Sequence, residues 1–202
     1  FQRALKSETF RKELDDAIQD LRSKLTPDYL SQEVAKYQAT VQPYVTKEPD
    51  STHLGLTPSQ YEEVAAAIPQ EIESNYQDYL DSLKKPMPFF IGIPEKDENG
   101  KLKVRWDAAY DLKGQEMTYK VEVAKDFEFK DVIHTEEGLS LPETVLDMPE
   151  KGHYFARVTA TNEAGESRDA FDYYVTEAGK HFGVKSFFIQ SDGKISEDVY
   201  EE

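Results

Sequence analysis

The chain has 202 residues and a formal net charge of −16, from 24 Lys and Arg against 40 Asp and Glu. This charge opposes binding to nucleic acid or to an anionic membrane surface, because both require clustered cations. The chain contains no cysteine, so disulfides and thiolate metal sites are excluded. No apolar run approaches the roughly 20 residues of a membrane-spanning helix, so no membrane span is expected.

Residues 1 to about 85 carry apolar side chains at helical spacing, in three successive sets. Side chains three or four positions apart share one face of a helix, so this half is predicted to form three amphipathic helices. The sets are Phe10, Leu14, Ile18, Leu21 and Leu25; Leu30, Val34, Tyr37, Val41 and Tyr44; and Tyr61, Val64, Ile68, Ile72, Tyr76, Tyr79 and Leu83.

Helix starts are marked in two places. Thr26 is predicted to cap the second helix, with Pro27 at the first helical position, where a missing N–H costs nothing. Thr57 and Gln60 flank Pro58 in the same way and predict a capping box. The stretch "VTKEPDSTHLG" between the second and third sets is predicted to be a surface loop. Pro69 predicts a kink or a break in the third helix.

The pattern changes at Pro86 and Pro88, which stop a helix and favour extended backbone. From there apolar residues alternate with polar ones in "KLKVRWD", "MTYKVEVAKD", "ETVLDMP", "HYFARVTATN" and "DAFDYYVTEA". Glycine-containing turn signals separate these runs, as in Asn99-Gly100 and Ala164-Gly165. Strands at this spacing with no helix between them predict an antiparallel β-sandwich over residues 86–202, and an α+β fold for the whole chain. The final stretch "HFGVKSFFIQSDGKI" is predicted to add an extra strand pair.

The second half resembles a fibronectin type III domain over about residues 88–178. The stretch "MPEKGHYFARVTATNEAGES" is its most specific part. The resemblance implies that Tyr154 buries its ring while its hydroxyl bonds the backbone across a corner, and that Gly165 takes a positive φ in a turn. The expected structural signature residues are Trp106, Tyr119, Val121, Tyr154, Val158, Ala160, Asn162 and Gly165.

The first half resembles the helical C-terminal part of the spore coat protein H (CotH) family, with an "hTP-x-x-L" helix start and a helix ending in "h-x-P-x-h". The matching positions are Arg3, Phe10, Arg11, Leu25, Thr26, Pro27, Leu30, Pro43 and Val45. Leu14 stands where an aromatic residue is frequent. The resemblance implies kinship with an atypical protein kinase that phosphorylates spore coat proteins, and residues 1–85 would be its trailing helices.

The nucleotide and metal residues of that family lie upstream of the matching segment, so none is carried over to this chain. The chain begins without Met inside an amphipathic pattern and is expected to be a fragment. It contains no G-x-G-x-x-G and no P-loop motif. We therefore expect no catalytic, cofactor-binding or metal-ligating residue here; ATP and magnesium would be required only with an upstream kinase core.

Other candidate chemistry is weak. His53, His134, His153 and His181 lie in separate segments without metal-ligand spacing and are expected to be solvated. Adjacent carboxylates such as Glu136 and Glu137 point apart on a strand. The acidic loop "EKDENGK" lacks the calcium-loop spacing and fits a hairpin turn, although a calcium site elsewhere stays open.

The sequence thus favours a non-catalytic C-terminal region of a CotH-like protein of the spore coat or cell surface of a Gram-positive bacterium. Its β-sandwich is expected to dock on protein partners or on the protein's own domains. One alternative is part of a kinase whose core lies upstream. Another is a carbohydrate-binding module that uses exposed tyrosines such as Tyr173 or Tyr174.

Overall fold

The computed structural model describes residues 2–54 and 57–197, with their side chains from residue 4 onward, so the family match at Arg3 falls outside the described side chains. The chain divides into two compact units, residues 1–82 and 83–202. The first is helical and the second is built of antiparallel β-sheets, so the fold is α+β.

The helical unit has three long helices and two short ones in its described part. The long helices match the three predicted sets, whereas α1 and α4 are additions to the predicted count. None of the described helices combines length and apolar character sufficiently to cross a membrane. The bounds are α1 Gln2–Leu5, α2 Glu8–Lys24, α3 Pro27–Val45, α4 Asp50–Leu54 and α5 Pro58–Ser82.

Both predicted helix starts are confirmed. The Thr26 side chain accepts a hydrogen bond from the Tyr29 N–H over 3.3 Å at the start of α3. At the start of α5, Thr57 Oγ1 accepts from the Gln60 N–H while the Gln60 side chain accepts from the Thr57 N–H. This reciprocal pair is a capping box and satisfies two N–H groups that the helix itself leaves free.

The surface-loop prediction is wrong for residues 50–54, which form α4. Of the kink or break predicted at Pro69, the break is wrong, because α5 continues through this residue. A proline inside a helix removes one hydrogen bond and crowds the carbonyl four residues earlier, but the neighbouring turns can hold the helix together. Polar pairs join the helices: Arg22 pairs with Glu73, and the Gln42 amide donates to Glu62.

The described part of the β unit has eleven strands arranged in three sheets. The first sheet has the order β1-β2-β5, the second has β11-β10-β6-β3-β4 with β7 also paired to β6, and the third is the hairpin β8-β9. All pairs are antiparallel. The bounds are β1 Glu95–Lys96, β2 Leu102–Arg105, β3 Met117–Ala124, β4 Val132–Leu139, β5 Glu143–Leu146, β6 Gly152–Asn162, β7 Ser167–Asp169, β8 Tyr173–Thr176, β9 Gly179–Phe182, β10 Lys185–Ile189 and β11 Ile195–Ser196.

One buried core draws side chains from both larger sheets. The alternation predicted for the strands holds, since every second residue of β2, β3 and β6 is buried. Phe187 and Ile189 of β10 belong to the same core. Because a strand points successive side chains to opposite faces, the remaining residues of β3 and β6 face outward on the far side of the second sheet.

The strand after the Gly165 turn is interrupted. β7 pairs with β6 at Thr159–Thr161, and β10 pairs with the same strand at Gly152–Ala156. The hairpin β8-β9 lies between these two pieces in sequence and pairs with neither sheet. The final segment contains the predicted extra strand pair, since β10 pairs with β11, but β10 also pairs with β6 and so extends the main sheet.

Candidate interaction surface

The predicted signature residues of the β strands lie in the core. Trp106, Tyr119, Val121, Tyr154, Val158 and Ala160 are all at most 5% exposed. The Tyr154 ring lies parallel to Phe187, and its hydroxyl donates to the Glu150 carbonyl over 2.9 Å. These residues hold the two larger sheets together, and Tyr154 also lines an open pocket of ≈ 400 Å³ beside Met148 and Glu150.

Asn162 belongs to a buried polar network. Its amide nitrogen donates to the Lys84 carbonyl and to the Asp111 carboxylate, over 3.1 and 3.2 Å. Its side-chain oxygen accepts from the Glu166 N–H over 2.9 Å, which closes the turn that contains Gly165. Gly165 has φ +83°, a conformation that favours glycine. Asn162 thus ties the end of β6 to two preceding segments.

One face of the β8-β9 hairpin, which we call its inner face, packs on the side of the second sheet that points away from the main core. Tyr174 of β8 contacts Phe155 and Phe127, with ring centroids 5.0 and 5.6 Å apart. His181 of β9 lies 4.5 Å from Phe127. Phe155 is 3% exposed although it points away from the main core. The inner face therefore builds a second, aromatic core, which we call the aromatic cluster: Phe127, His153, Phe155, Tyr174, His181 and Phe188.

Two of the four histidines belong to this cluster. His153 stacks on Phe188 at 4.0 Å, and its Nε2 lies 2.7 Å from Ser186 Oγ. Burial lowers the pKa of His153 below its ordinary value. His181 Nε2 lies 2.9 Å from Thr176 Oγ1. The expectation of solvated histidines is wrong for this pair, because the sequence does not reveal that the hairpin covers them. His53 is exposed in α4.

The outer face of the hairpin is apolar and exposed. Tyr173, Val175 and Phe182 are 50%, 57% and 65% exposed, and Phe171, just before β8, is 47% exposed. Tyr173 lies opposite Phe182, with ring centroids 5.9 Å apart. We call these four residues, together with Phe90, the outward row. The two tyrosines proposed for glycan binding are thereby separated, since Tyr173 faces outward and Tyr174 is enclosed in the aromatic cluster.

The outward row extends beyond the hairpin. Phe90 is 48% exposed and contacts Phe171 edge to face at 6.2 Å. The exposed residue Asp107 accepts a hydrogen bond from the Phe90 N–H. At the other end, Glu177 lies exposed in the turn of the hairpin. A contiguous strip of apolar side chains is therefore bordered by a carboxylate at each end.

Lys180 is the only Lys or Arg in residues 171–182. Its ammonium group lies 4.3 Å from the centre of the Tyr173 ring, a cation–π contact. This contact holds the charge against the ring at the centre of the row. The row thus combines hydrocarbon surface with one tethered cation.

Among the described residues, no group of three or more His, Asp or Glu side chains is placed to hold a metal ion. The acidic loop "EKDENGK" forms a turn between β1 and β2, in which Asp97 accepts from the Asn99 and Lys101 N–H groups. Gly100 has φ +80° in this turn. The predicted hairpin turn is present, but it spans residues 97–101 rather than Asn99 and Gly100 alone, and Asp97 serves its backbone.

A smaller apolar groove of ≈ 240 Å³ lies between α3 and α5 of the helical unit. It is lined mainly by Val34, Tyr37, Tyr61, Val64 and Ile68. Tyr37 and Val64 are more than half exposed. The described helices therefore leave a part of their apolar faces uncovered.

The helical unit is similar to a known family. The family model described as CotH kinase protein matches residues 1–79. This match supports the resemblance that the helix starts and apolar pattern indicate, and it lies within the helical unit. No curated protein matches the chain.

Proposed function

We propose that this chain is a non-catalytic region of a CotH-like spore coat or surface protein, and that its β unit is a protein-interaction module. The match of residues 1–79 to the CotH kinase protein family supports a CotH-like spore coat protein, because that family is associated with the spore coat. The net charge of −16 supports a protein rather than a nucleic-acid partner.

The β unit fits a fibronectin type III-like sandwich with one insertion. The sheets β1-β2-β5 and β4-β3-β6-β7 follow the division of strands between the two sheets of immunoglobulin-like folds. The bond from the Tyr154 hydroxyl to the carbonyl four residues upstream fits the tyrosine corner of such folds. The hairpin β8-β9 would then be an insertion that splits the last strand into β7 and β10.

The outward row is the single observation that carries the interaction role. Exposed apolar side chains that occur singly need no explanation, but a contiguous strip of them on a folded unit marks a binding surface. Aromatic residues such as Phe171, Tyr173 and Phe182 are also enriched in the buried centres of protein interfaces. The row plays little part in the aromatic cluster, which uses the opposite face of the hairpin.

Binding of the fluorescently labelled chain to purified spores of a Gram-positive spore former would test this role. We expect saturable binding that the double substitution Tyr173→Ser/Phe182→Ser lowers about tenfold or more, as for the loss of aromatic anchors. Leu141→Ser is the matched control, because Leu141 is 65% exposed in the same unit but outside the row. Equal binding of all three proteins, or no saturable binding, would refute the proposed role.

A second candidate function is phosphoryl transfer, since the matching family model is described as a kinase. Incubation of the purified chain with labelled ATP, magnesium and spore coat proteins separates the two candidates. Our proposal expects no label above a control without the chain. Label that depends on the chain would show that it is catalytic and would contradict the proposal.

A further inference from the structure

We propose that the outward row binds a basic amphipathic protein segment, in which apolar side chains cover the row and Lys or Arg residues meet the carboxylates at its ends. This inference rests on the interaction role proposed above and names the partner of that surface. It is carried by the composition of the row, the charge around it, and the rigidity of the hairpin that presents it.

The composition of the row favours a protein over a glycan. Phe90, Phe171, Val175 and Phe182 offer no hydrogen-bonding group in their side chains. Only the Tyr173 hydroxyl and the Lys180 ammonium are polar, and the latter lies over the Tyr173 ring. A sugar brings many hydroxyl groups that lose water on binding and need hydrogen-bond partners in return. Apolar side chains of a protein have no such need and gain from leaving water.

The charge around the row favours a basic partner. Asp107 and Glu177 border it, and residues 83–202 carry 25 Asp and Glu against 16 Lys and Arg, a net charge of −9. Opposite charges at the rim of an interface accelerate association and reject like-charged partners. A second copy of this chain would add a net charge of the same sign. Lys180 lies at the centre of the row, so the Lys or Arg residues of a partner are expected at its two ends, where the carboxylates lie. Charge thus favours a segment with cations at these ends and disfavours self-association.

The hairpin presents the row on a rigid support. Tyr174 and His181 anchor its inner face to Phe127 and Phe155. The Gly183 N–H donates to the Asp172 carbonyl over 2.8 Å and closes the base of the hairpin. A surface that is ordered before binding loses little conformational entropy when a partner docks. The row is thus suited to bind a segment that orders itself on contact.

Two short synthetic peptides test the proposal against the full chain. One has Leu on one face and Lys on the other, and the matched peptide has Glu in place of every Lys. Fluorescence anisotropy of the labelled peptides should show saturable binding of the Lys peptide, weakened by salt, and binding of the Glu peptide that is about tenfold weaker or absent. A neutral soluble oligosaccharide serves as a third probe.

Three variants localise the binding. Tyr173→Ser/Phe182→Ser should lower affinity for the Lys peptide about tenfold or more, and Leu141→Ser should leave it unchanged. Glu177→Lys changes an exposed turn residue, so the fold is retained, and should lower affinity a few-fold through charge alone. The fluorescence of Trp106, which is buried in the core, verifies that each variant is folded.

Several outcomes would overturn the inference. They are equal binding of the two peptides, Lys-peptide binding that Tyr173→Ser/Phe182→Ser leaves intact, or oligosaccharide binding that this variant abolishes. Spore binding that depends on the row, with neither peptide bound, would overturn the basic segment but leave the interaction role standing. Binding of the Lys peptide at the row without any spore binding would instead contradict the proposed coat function. It would support the inference that the row binds a basic amphipathic segment.

Discussion

Replacing Asn162 with Asp should place two carboxylates side by side in the β unit. The Asn162 amide nitrogen lies 3.2 Å from Asp111 Oδ2 and 3.1 Å from the Lys84 carbonyl, and both Asn162 and Asp111 are 5% exposed. Asn162→Asp keeps the shape of the side chain and converts this donor into an acceptor. The substitution therefore removes two hydrogen bonds and adds a repulsion at the same position.

The expected cost at neutral pH is large. The two hydrogen bonds contribute about 1 kcal/mol for the carbonyl acceptor and roughly 2 kcal/mol for the charged one. Two unit charges about 3 Å apart repel by about 5 kcal/mol at an effective dielectric constant of about 20. One of the two carboxylates can take up a proton, which relieves part of this repulsion. Holding that proton costs about 1.4 kcal/mol for each unit by which the pH exceeds the pKa of the pair. We therefore expect the free energy of unfolding to fall by at least about 3 kcal/mol, which is the contribution of the two hydrogen bonds alone.

The pH dependence identifies the cause. A carboxyl whose pKa is higher in the folded than in the unfolded state binds more protons when folded, so its destabilising effect shrinks as the pH falls. The difference in unfolding free energy between Asn162→Asp and the parent chain should therefore be largest near neutral pH and decrease toward about pH 5.

Urea unfolding followed by Trp106 fluorescence measures this difference, because Trp106 is the single tryptophan and lies in the core of the β unit. Asn99→Asp adds the same charge at an exposed turn and should change the unfolding free energy by less than about 0.5 kcal/mol. A loss below about 1 kcal/mol for Asn162→Asp, or a loss that does not vary with pH, would refute the network as described.

Three further predictions concern the β unit. Tyr154→Phe removes the bond to the Glu150 carbonyl and should lower stability by about 1 kcal/mol, a few degrees in Tm, whereas Tyr173→Phe should not; calorimetry distinguishes them. Burial lowers the pKa of His153 below 6.5, so the free energy of unfolding should be highest above this pH and decrease as the pH falls below it. The substitution His153→Gln should make the melting temperature depend less steeply on pH in this range. An unchanged dependence would contradict the burial of His153. Gly165→Ala should cost about 1 kcal/mol in urea titrations because of the positive φ, and no loss would show that the turn relaxes.

The sequence reveals the local parts of this fold well. Helical spacing predicts α2, α3 and α5 because apolar residues recur along one face of each helix, and Thr57 with Gln60 marks a start that depends only on nearby residues. Alternation predicts β2, β3 and β6 for the same reason. Tyr154 and Asn162 are predicted through the resemblance to fibronectin type III sequences, and each makes one bond to a residue four positions away. The bonds of Asn162 to the distant Lys84 and Asp111 are not visible in the sequence.

The sequence does not reveal which strands pair with each other. The segments "DYYV", "KHF" and "KSFFI" are all short and contain aromatic residues, yet the first two pair with each other and the third pairs with β6. Alternation shows that a segment is a strand but contains no information about which edge it joins. The aromatic cluster was missed for this reason, because Phe127, His153 and His181 come together only when the hairpin folds over the second sheet.

The two faces of the hairpin differ in what they contribute. A two-stranded hairpin alone is at best marginally stable in water, so the contacts of Tyr174 and His181 with the aromatic cluster must hold β8 and β9 in place. The outward side chains Tyr173, Val175 and Phe182 are half exposed or more and could be polar without loss of those contacts. A solubilising surface would place charged residues at such positions, as on exposed strands of other proteins. Because these residues lie outside the aromatic cluster, the outward row, rather than the enclosed cluster, is the part of the β unit on which binding should depend.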